Sequence, residues 1–186
     1  MDKKEEKILI ERIKAGEHSL YAQLVDHYSD IIFNLIYKVV GVRADAEELA
    51  QDVFVKAFFS LDKFRGESSF STWLYRIAYN LAISKSRLKK RFFLSLDNLS
   101  FNKTEELDDA DHLLREENFV LLEEALESLD IQERFLVVSF YKDDKSLKEL
   151  SEITGITVSN LKIKLFRTRK KLNDYICSRR EVIYGK

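Results

Sequence analysis

The sequence lacks most of the residues that interrupt helices or cross-link chains. Its 186 residues include no proline, five glycines and a single cysteine, Cys177. With so few of the residues that punctuate sheets, we expect the chain to be almost entirely helical. One cysteine cannot form an intramolecular disulfide, which is typical of proteins in a reducing cytoplasm.

Long apolar runs are missing as well. No run approaches the roughly 20 residues of a membrane-spanning helix, so we expect no membrane insertion. Residues 1–17, MDKKEEKILIERIKAGE, alternate charges with isoleucine and leucine and lack the apolar core and cleavage site of a secretion signal. This pattern predicts a surface helix and, with the cysteine count, a cytoplasmic protein.

Residues that serve enzymes and metal sites are scarce or scattered. The histidines are far apart, the cysteine stands alone, and no glycine-rich phosphate loop occurs. Asp108, Asp109 and Asp111 are close together, but they lack the glycine and distal glutamate of a calcium-binding loop. We therefore predict no catalytic residue, no cofactor and no metal site.

The charge is distributed unevenly, although the net charge is only −1. Residues 77–96 and 158–173 contain no acid and are rich in lysine and arginine, whereas residues 105–117 carry acids against Arg115 alone. Clustered basic residues are the electrostatic footprint of nucleic-acid binding. Two basic patches thus lie on either side of an acidic segment.

Hydrophobic periodicity predicts an all-α fold of two small helical domains joined by an acidic flexible linker. The first domain is residues 1–94, the linker is residues 95–118, and the second domain is residues 119–186. The polar composition of the linker is typical of a segment that cannot form a core. The alternative for part of it is a loosely packed acidic helix near residues 110–118.

Residues 63–80, KFRGESSFSTWLYRIAYN, bring aromatic rings, arginines and hydroxyls together. This mixture suits single-stranded DNA, whose bases stack on aromatic rings while basic side chains follow the backbone. Phe64, Arg65 and Ser68, in a glycine-containing loop, are candidate contacts. Asn80 can either read a base edge or cap a backbone group.

Other aromatic residues of this region have the simpler role of filling a core. Trp73 recurs with Ile77 and Leu81 at helical spacing, which favours a core position for the tryptophan ring. Ser71 or Thr72 is predicted to cap the helix that carries them. The remaining rings interpreted as core are Phe58, Phe59 and Tyr79.

The most specific local pattern is residues 146–172, SLKELSEITGITVSNLKIKLFRTRKKL. Ser146 and Glu149 have the spacing of a capping box, and Gly155 permits a tight turn before Thr157, which can cap a second helix. Two helices joined in this way are typical of the helix-turn-helix, whose second helix enters the major groove. The residues predicted to face inward are Val158, Leu161, Leu165 and Leu172.

The outward residues of the second helix suit duplex DNA. They are Asn160, Ile163, Arg167 and Lys171. Asn160 can pair with adenine, and Arg167 with guanine or a phosphate. The lysines interpreted as phosphate contacts are Lys162, Lys164, Lys170 and Lys171. The alternative is an exposed charged helix near the end of the chain.

Residues 45–82, DAEELAQDVFVKAFFSLDKFRGESSFSTWLYRIAYNLA, followed by ERF and residues 146–172, resemble the extracytoplasmic-function sigma factors. The resemblance covers residues 8–176 in the family's order. It implies a specificity subunit of bacterial RNA polymerase, which directs promoter recognition, DNA melting and transcription initiation. The implied partners are core polymerase, through its clamp coiled coil and flap, promoter DNA, and the anti-sigma factor that is typical of the family.

The resemblance also implies site residues. In the family, the loop at residues 64–70 captures a flipped non-template base and Asn80 helps to enclose it. The residues implied for the minus-ten element are Phe64, Arg65, Ser68, Phe70, Arg76, Asn80, Lys85 and Arg87. Those implied for the minus-thirty-five element are Asn160, Lys162, Ile163, Phe166, Arg167 and Lys170. Those implied for the polymerase clamp are Glu48, Gln51, Asp52 and Lys56.

Two positions depart from the family pattern. The family usually has a small polar residue where this chain has Ile163 and an arginine where it has Lys162. Isoleucine can contact a thymine methyl but cannot hydrogen-bond a base, and lysine lacks the bidentate fork of arginine. We expect minus-thirty-five reading to be altered, weakened, or supplemented by a recruiting partner.

Two other functions remain open from the residues alone. A stand-alone helix-turn-helix regulator, binding duplex DNA as a dimer, explains residues 146–172 but leaves residues 63–80 without a role. A protein adaptor would not need the lysines of the second helix. A regulator would bind promoter DNA by itself, whereas a sigma factor should require polymerase.

Overall fold

The structure is a computed structural model that describes residues 1–93 and 120–184. Every regular element in these two ranges is a helix, which confirms the all-α prediction. The acidic linker predicted for residues 95–118 lies outside the described residues.

The first helical group begins with α1 at Lys3–Lys14, followed by a 3₁₀ turn at His18–Leu20 and by α2 at Tyr21–Val40. Helix α3 spans Arg43–Ser60, a second 3₁₀ turn spans Leu61–Lys63, and α4 spans Phe70–Phe93. The second group contains α5 over residues 120–127. It continues with α6 at Ile131–Val137, a π-helical turn at Val138–Lys142, α7 at Leu147–Thr154 and α8 at Val158–Tyr184.

Helix α4 starts earlier than its sequence suggested. The Ser69 hydroxyl accepts a hydrogen bond from the Thr72 backbone N–H at 3.1 Å, so Ser69 caps the helix. The predicted caps, Ser71 and Thr72, instead lie inside the first turn. A capping hydroxyl serves the N–H three residues ahead, and the buried ring of Phe70 fixes the helix start in that register.

The core of the first group lies where α2, α3 and α4 meet. Leu24, Ile32, Val53 and Leu74 are fully buried there, and Ile13 joins them from α1. Helix α1 therefore belongs to the packed body, and only one of its faces meets solvent, as its alternation of charged and apolar residues predicts.

The two helical groups pack against each other along α4. Phe135 of α6 meets the rings of Tyr75 and Tyr79, with the Tyr79 ring centre 5.0 Å away. The Tyr75 hydroxyl donates to an Asp143 carboxylate oxygen at 3.0 Å. Lys145 donates to the Ser71 hydroxyl at 3.1 Å. Apolar and polar contacts together thus hold the second group on the side of α4.

Candidate nucleic-acid interface

The helix-turn-helix is formed as its sequence predicts. The Ser146 hydroxyl accepts from the Glu149 N–H at 3.2 Å, and the Glu149 carboxylate accepts from the Ser146 N–H at 2.9 Å. Gly155 ends α7 with φ +73°, a left-handed value that favours glycine. The Thr157 hydroxyl accepts from the Asn160 N–H at 3.4 Å. These local bonds fix the angle at which α8 leaves the turn.

The inward stripe of α8 differs from the prediction at one position. Leu161, Leu165 and Leu172 are buried, and Thr168 completes the same face. Val158, predicted to be inward, is an exposed residue. It stands at the beginning of the stripe, where the helix end is covered on one side only.

The outward face of α8 carries every residue implied for duplex recognition. The exposed side chains are Asn160, Lys162, Ile163, Phe166, Arg167 and Lys170. Phe166 is the most prominent apolar member, with 68% of its surface exposed. Amide, guanidinium and ammonium groups therefore stand beside two apolar side chains on one helical surface.

Two lysines interpreted as phosphate contacts are engaged within the protein instead. Lys164 donates to the Gln132 amide oxygen at 3.0 Å, and Lys171 pairs with Glu133. The hydrogen bond to Glu133 raises the pKa of Lys171. Both partners project from α6, which sequence spacing could not place beside α8.

The loop before α4 does not display the aromatic rings that its sequence suggested. Phe70 is 0% exposed and Phe64 is 9% exposed. Their ring centres are 5.5 Å apart, and the Phe64 ring lies 5.3 Å from that of Trp73. Phe64 and Phe70, both implied for the minus-ten element, thus have their rings packed on each other and on Trp73 rather than facing solvent.

The remaining loop residues surround a small cavity. Arg65 is exposed, Ser68 is half-buried, and Gly66 turns the chain with φ +72°. The cavity has a volume of about 380 Å³ and lies between this loop and α1. Its lining combines Ser68 and Ser69 with charged side chains of both signs from α1 and the loop.

Helix α4 supplies three further exposed residues implied for single-stranded DNA, Arg76, Asn80 and Arg87. Lys85, in contrast, is half-buried and pairs with Asp45 at 3.3 Å and Glu48 at 2.6 Å. Burial disfavours its charge, but the hydrogen bonds to these carboxylates prevail and raise the pKa of Lys85. Lys85 thus ties α4 to α3 in this structure rather than facing solvent.

The outer face of α3 presents the residues implied for polymerase binding. All four, Glu48, Gln51, Asp52 and Lys56, are exposed. The prediction that Phe59 belongs to the core is wrong, since 81% of its surface is exposed. Val55 is also exposed, and helical spacing of four from Gln51 through Val55 to Phe59 could have placed both on this face.

Val55 and Phe59 border an apolar groove between α2 and α3. The groove has a volume of about 830 Å³, and Phe33, Phe54 and Phe58 line it. Exposed apolar patches rimmed by polar residues mark protein interaction sites. The α3 face therefore combines polar side chains, which can make specific hydrogen bonds, with exposed apolar surface.

Over the described ranges, no group of three or more histidine, cysteine or acidic side chains could hold a metal ion. Asp108, Asp109 and Asp111 lie outside these ranges, and Cys177 is an exposed free thiol. No helix within the described part of the chain is long and apolar enough to cross a membrane.

Comparison with known proteins accounts for both helical groups. Residues 24–92 match Sigma-70 region 2, and residues 119–172 match Sigma-70 region 4. Over 172 residues, the chain is 34% identical to the ECF RNA polymerase sigma factor SigW of Bacillus subtilis (strain 168), covering 88% of this chain and 92% of that protein. The chain belongs to the ECF RNA polymerase sigma factors.

The ECF RNA polymerase sigma-E factor of Escherichia coli (strain K12) is a second relative, 28% identical over 180 residues, covering 92% of this sigma factor and 94% of the relative. The fold resembles that of RpoE in its co-crystal with the anti-sigma factor NepR from Bartonella quintana. The TM-score is 0.67 at 21% identity, covering 84% of this chain and 96% of that one. CnrH, in complex with the cytosolic domain of CnrY, gives 0.65 at 20% identity, covering 92% and 96%.

Family membership confirms the resemblance read from residues 45–82 and 146–172. It also decides between the functions left open by the residues alone, because a stand-alone regulator would not carry Sigma-70 region 2 across residues 24–92. This protein is an RNA polymerase sigma factor.

Proposed function

We propose that this sigma factor reads two forms of promoter DNA with two separate surfaces while α3 holds core polymerase. The observation that carries the proposal is the exposure of two different residue sets on α4 and α8 of one chain. The α8 set suits the closed duplex of the minus-thirty-five element. The α4 set, with the loop before it, suits the opened strand of the minus-ten element.

The α8 surface provides direct readout in the major groove. Asn160 has the amide that pairs with adenine, and Arg167 has the fork that pairs with guanine. Ile163 and Phe166 offer apolar contact to thymine methyl groups. Lys162 and Lys170 are positioned for phosphates, which orient the protein without specifying sequence.

The minus-ten surface depends on polar groups more than on stacking. Arg65, Arg76 and Arg87 supply charge for the backbone, and Asn80 supplies an amide for a base edge. Ser68, half-buried at the cavity, can hydrogen-bond an entering base. Because Phe64 and Phe70 are buried, they support the cavity wall rather than sandwich a base. Lys85 contributes to DNA binding only if its pairing with α3 is broken.

The α3 face binds core polymerase, and the clamp coiled coil is the partner that the family implies. Gln51 and Asp52 offer hydrogen bonds, while Val55 and Phe59 offer an exposed apolar anchor beside the groove. Aromatic anchors commonly carry most of the energy of such interfaces. Region 4 would contact the polymerase flap, again by family resemblance.

Other features of the proposal follow from family membership. The sigma factor acts in the cytoplasm with polymerase and performs no catalysis of its own. Its functional domains are residues 1–94 and 119–186, with residues 95–118 as the connection. An anti-sigma factor is the expected regulator, as in the RpoE–NepR complex. A recruiting partner would supplement weak minus-thirty-five binding.

The test is reconstitution with bacterial core polymerase on a promoter library, with unpaired thymines detected by permanganate. We expect strand opening only when both proteins are present. Asn80→Ala should reduce the yield about tenfold, as expected for losing one base contact worth ~1–3 kcal/mol. Phe59→Ala should instead weaken binding to core polymerase. Arg12→Ala, on an exposed part of α1, serves as the control.

The outcomes separate the surfaces. If Asn80→Ala opens promoters as well as the unaltered protein, α4 does not read the strand as proposed. If Phe59→Ala binds core polymerase with unchanged affinity, the apolar part of the α3 face is not used. Salt-sensitive duplex binding without any opening would contradict the proposal as a whole.

A further inference from the structure

Helix α1 closes the cavity beside the loop at residues 64–70. Glu6, Lys7, Ile10 and Glu11 of α1 form one wall, and the loop forms the other. A volume of about 380 Å³ lies within the ~300–1,000 Å³ range of small-molecule pockets. The loop alone is therefore an open turn, and α1 makes it a pocket.

Lys14, at the end of α1, holds the loop in place. Its ammonium donates a hydrogen bond to the backbone carbonyl of Phe64 at 2.6 Å, across 50 residues of sequence. The same ammonium lies 5.9 Å from the centre of the Phe64 ring. Its side chain is only 21% exposed. A charged donor shielded from water makes one of the stronger hydrogen bonds in proteins.

Few other bonds restrain this part of the loop. The Phe64 N–H donates to the Leu61 carbonyl at 2.9 Å, which secures the start of the loop. Arg65 and Glu67 are exposed and pair with each other at 3.9 Å, an interaction that contributes little at a surface. The Lys14 bond to the Phe64 carbonyl thus joins the loop directly to α1.

The α1 wall carries polar groups of both kinds. Glu6 and Glu11 place carboxylates beside the cavity, Lys7 places an ammonium there, and Glu6 accepts a hydrogen bond from the Tyr28 hydroxyl. A carboxylate can accept a hydrogen bond from the amino group of a base, and an ammonium can donate one to a ring nitrogen or carbonyl. The wall therefore offers an acceptor and a donor to the edge of an entering base.

We propose that Lys14 is a positioning residue of the minus-ten site, and that α1 forms the wall against which a flipped base is selected. The inference rests on the proposed function of the loop at residues 64–70. Lys14 itself does not contact DNA but acts through the loop. It fixes the Phe64 carbonyl, so that the base edge meets the Ser68 side of the loop and the α1 wall at a constant distance.

The experiment measures base preference during promoter opening by holoenzyme. Each position of the melted strand is varied through the four bases, and the ratio of opening rates between the best and worst base is recorded. We expect Lys14→Met, which keeps the aliphatic stem, to lower that ratio at one position by at least about fivefold, given the strength of a charged hydrogen bond. Lys14→Arg should retain the ratio.

The control variant is Arg12→Met, on the same helix but paired with the exposed Glu17. It should leave the ratio unchanged. Duplex binding to the minus-thirty-five element should be equal for all variants, and rates are measured well below each variant's melting temperature. If Lys14→Met does not fold, Lys14→Gln, a neutral donor, replaces it and should give an intermediate loss.

Each result either supports or overturns the inference about Lys14. A ratio in Lys14→Met equal to that of the unaltered protein overturns the inference, and so does an equal loss in Arg12→Met. A slower rate at every base with an unchanged ratio indicates a structural role only, and also overturns it. If the unaltered holoenzyme opens no promoter, the proposed function itself fails before Lys14 is tested.

Discussion

The two surfaces proposed to face DNA in this sigma factor are built in different ways. The proposed minus-thirty-five surface consists of residues on one helix, α8, and all six are exposed. The proposed minus-ten surface is composed of α1, a loop and α4, and its phenylalanines are buried. A surface on one helix follows from periodicity, whereas a composite surface depends on how distant segments pack.

The same difference determines whether a substitution changes folding stability, DNA binding or both. Exposed residues of α8 can be exchanged with little effect on folding, because they make few contacts that unfolding would lose. In the loop at residues 64–70, the same residues contribute to the core and to the proposed minus-ten site. Substitutions there are expected to change both folding stability and DNA binding.

The largest expected effect is at Phe70. Replacing Phe70 with alanine removes a fully buried ring, and such changes cost about 3–5 kcal/mol of unfolding free energy. For a chain of this length, each kcal/mol lowers the melting temperature by roughly 2–4 °C. Calorimetry should therefore show a large fall. Phe59→Ala, at an exposed position, should change stability by less than about 0.5 kcal/mol.

This pair also tests whether Phe70 stacks on DNA. A ring that served mainly as a DNA platform would leave the melting temperature almost unchanged when removed. That result, together with lost promoter opening, would contradict the burial seen in the structure.

A smaller effect is expected at Arg167 on α8. Arg167→Ala should weaken specific duplex binding by about 1–3 kcal/mol, the value of a bidentate base contact, and relax the preference at one base pair. Lys162→Ala should weaken all sequences alike and reduce the salt slope of binding by about one. Both should melt at the temperature of the unaltered protein. Titrating each variant with duplex DNA at several salt concentrations measures the difference in affinity and in salt slope.

If Arg167→Ala weakened every sequence equally, Arg167 would be a phosphate contact. The α8 surface would then orient the protein without reading this base pair. Equal salt slopes for the two variants would contradict the distinction drawn between them.

A third prediction concerns the apolar part of α8. If Ile163 contacts a thymine methyl, replacing that thymine with uracil removes one buried methyl, worth about 0.8 kcal/mol or roughly fourfold in affinity. The loss should disappear in Ile163→Ser, which has no comparable apolar surface. Measuring both proteins on both duplexes isolates the contact, and an equal loss in both proteins would exclude it.

The smallest effect is expected at Asp143, between the two groups. Burial raises the pKa of Asp143, outweighing the Tyr75 hydrogen bond and the nearby Lys142, Lys145 and Lys38. The folded protein therefore binds this proton more tightly than the unfolded chain. Stability from this group is fully present below the carboxyl's ordinary pKa and is lost as pH rises through the raised one.

Asp143→Asn keeps an acceptor for the Tyr75 hydroxyl and removes the titration. We expect a slight gain in melting temperature at neutral pH and a steeper acidic limb in the stability–pH curve, because the titration of Asp143 opposes the rise of stability with pH. Asp144→Asn, at an exposed neighbouring position, is the matched control variant. A flatter acidic limb in Asp143→Asn would mean that the carboxylate is stabilised in the folded state.

Local features of the sequence predicted the helix-turn-helix well. The Ser146–Glu149 capping box and the Gly155 turn depend on residues within one or two helical turns of each other. Side-chain burial at longer range was predicted less well. Phe59 is predicted to lie in the core but is exposed, because no other helix within residues 1–93 and 120–184 covers that position of α3. Ser69, rather than the predicted Ser71 or Thr72, caps α4, because the packing of Phe70 sets the start of the helix.

The sequence by itself determined an all-helical chain with a helix-turn-helix, because helix formation, capping and tight turns are local. It also carried the residues that identify the family. Only the tertiary structure decided that Phe64 and Phe70 are covered, that Lys85 pairs with α3, and that Lys14 reaches the Phe64 carbonyl. These facts join segments tens of residues apart, and which side chains meet there is fixed by packing of the whole body.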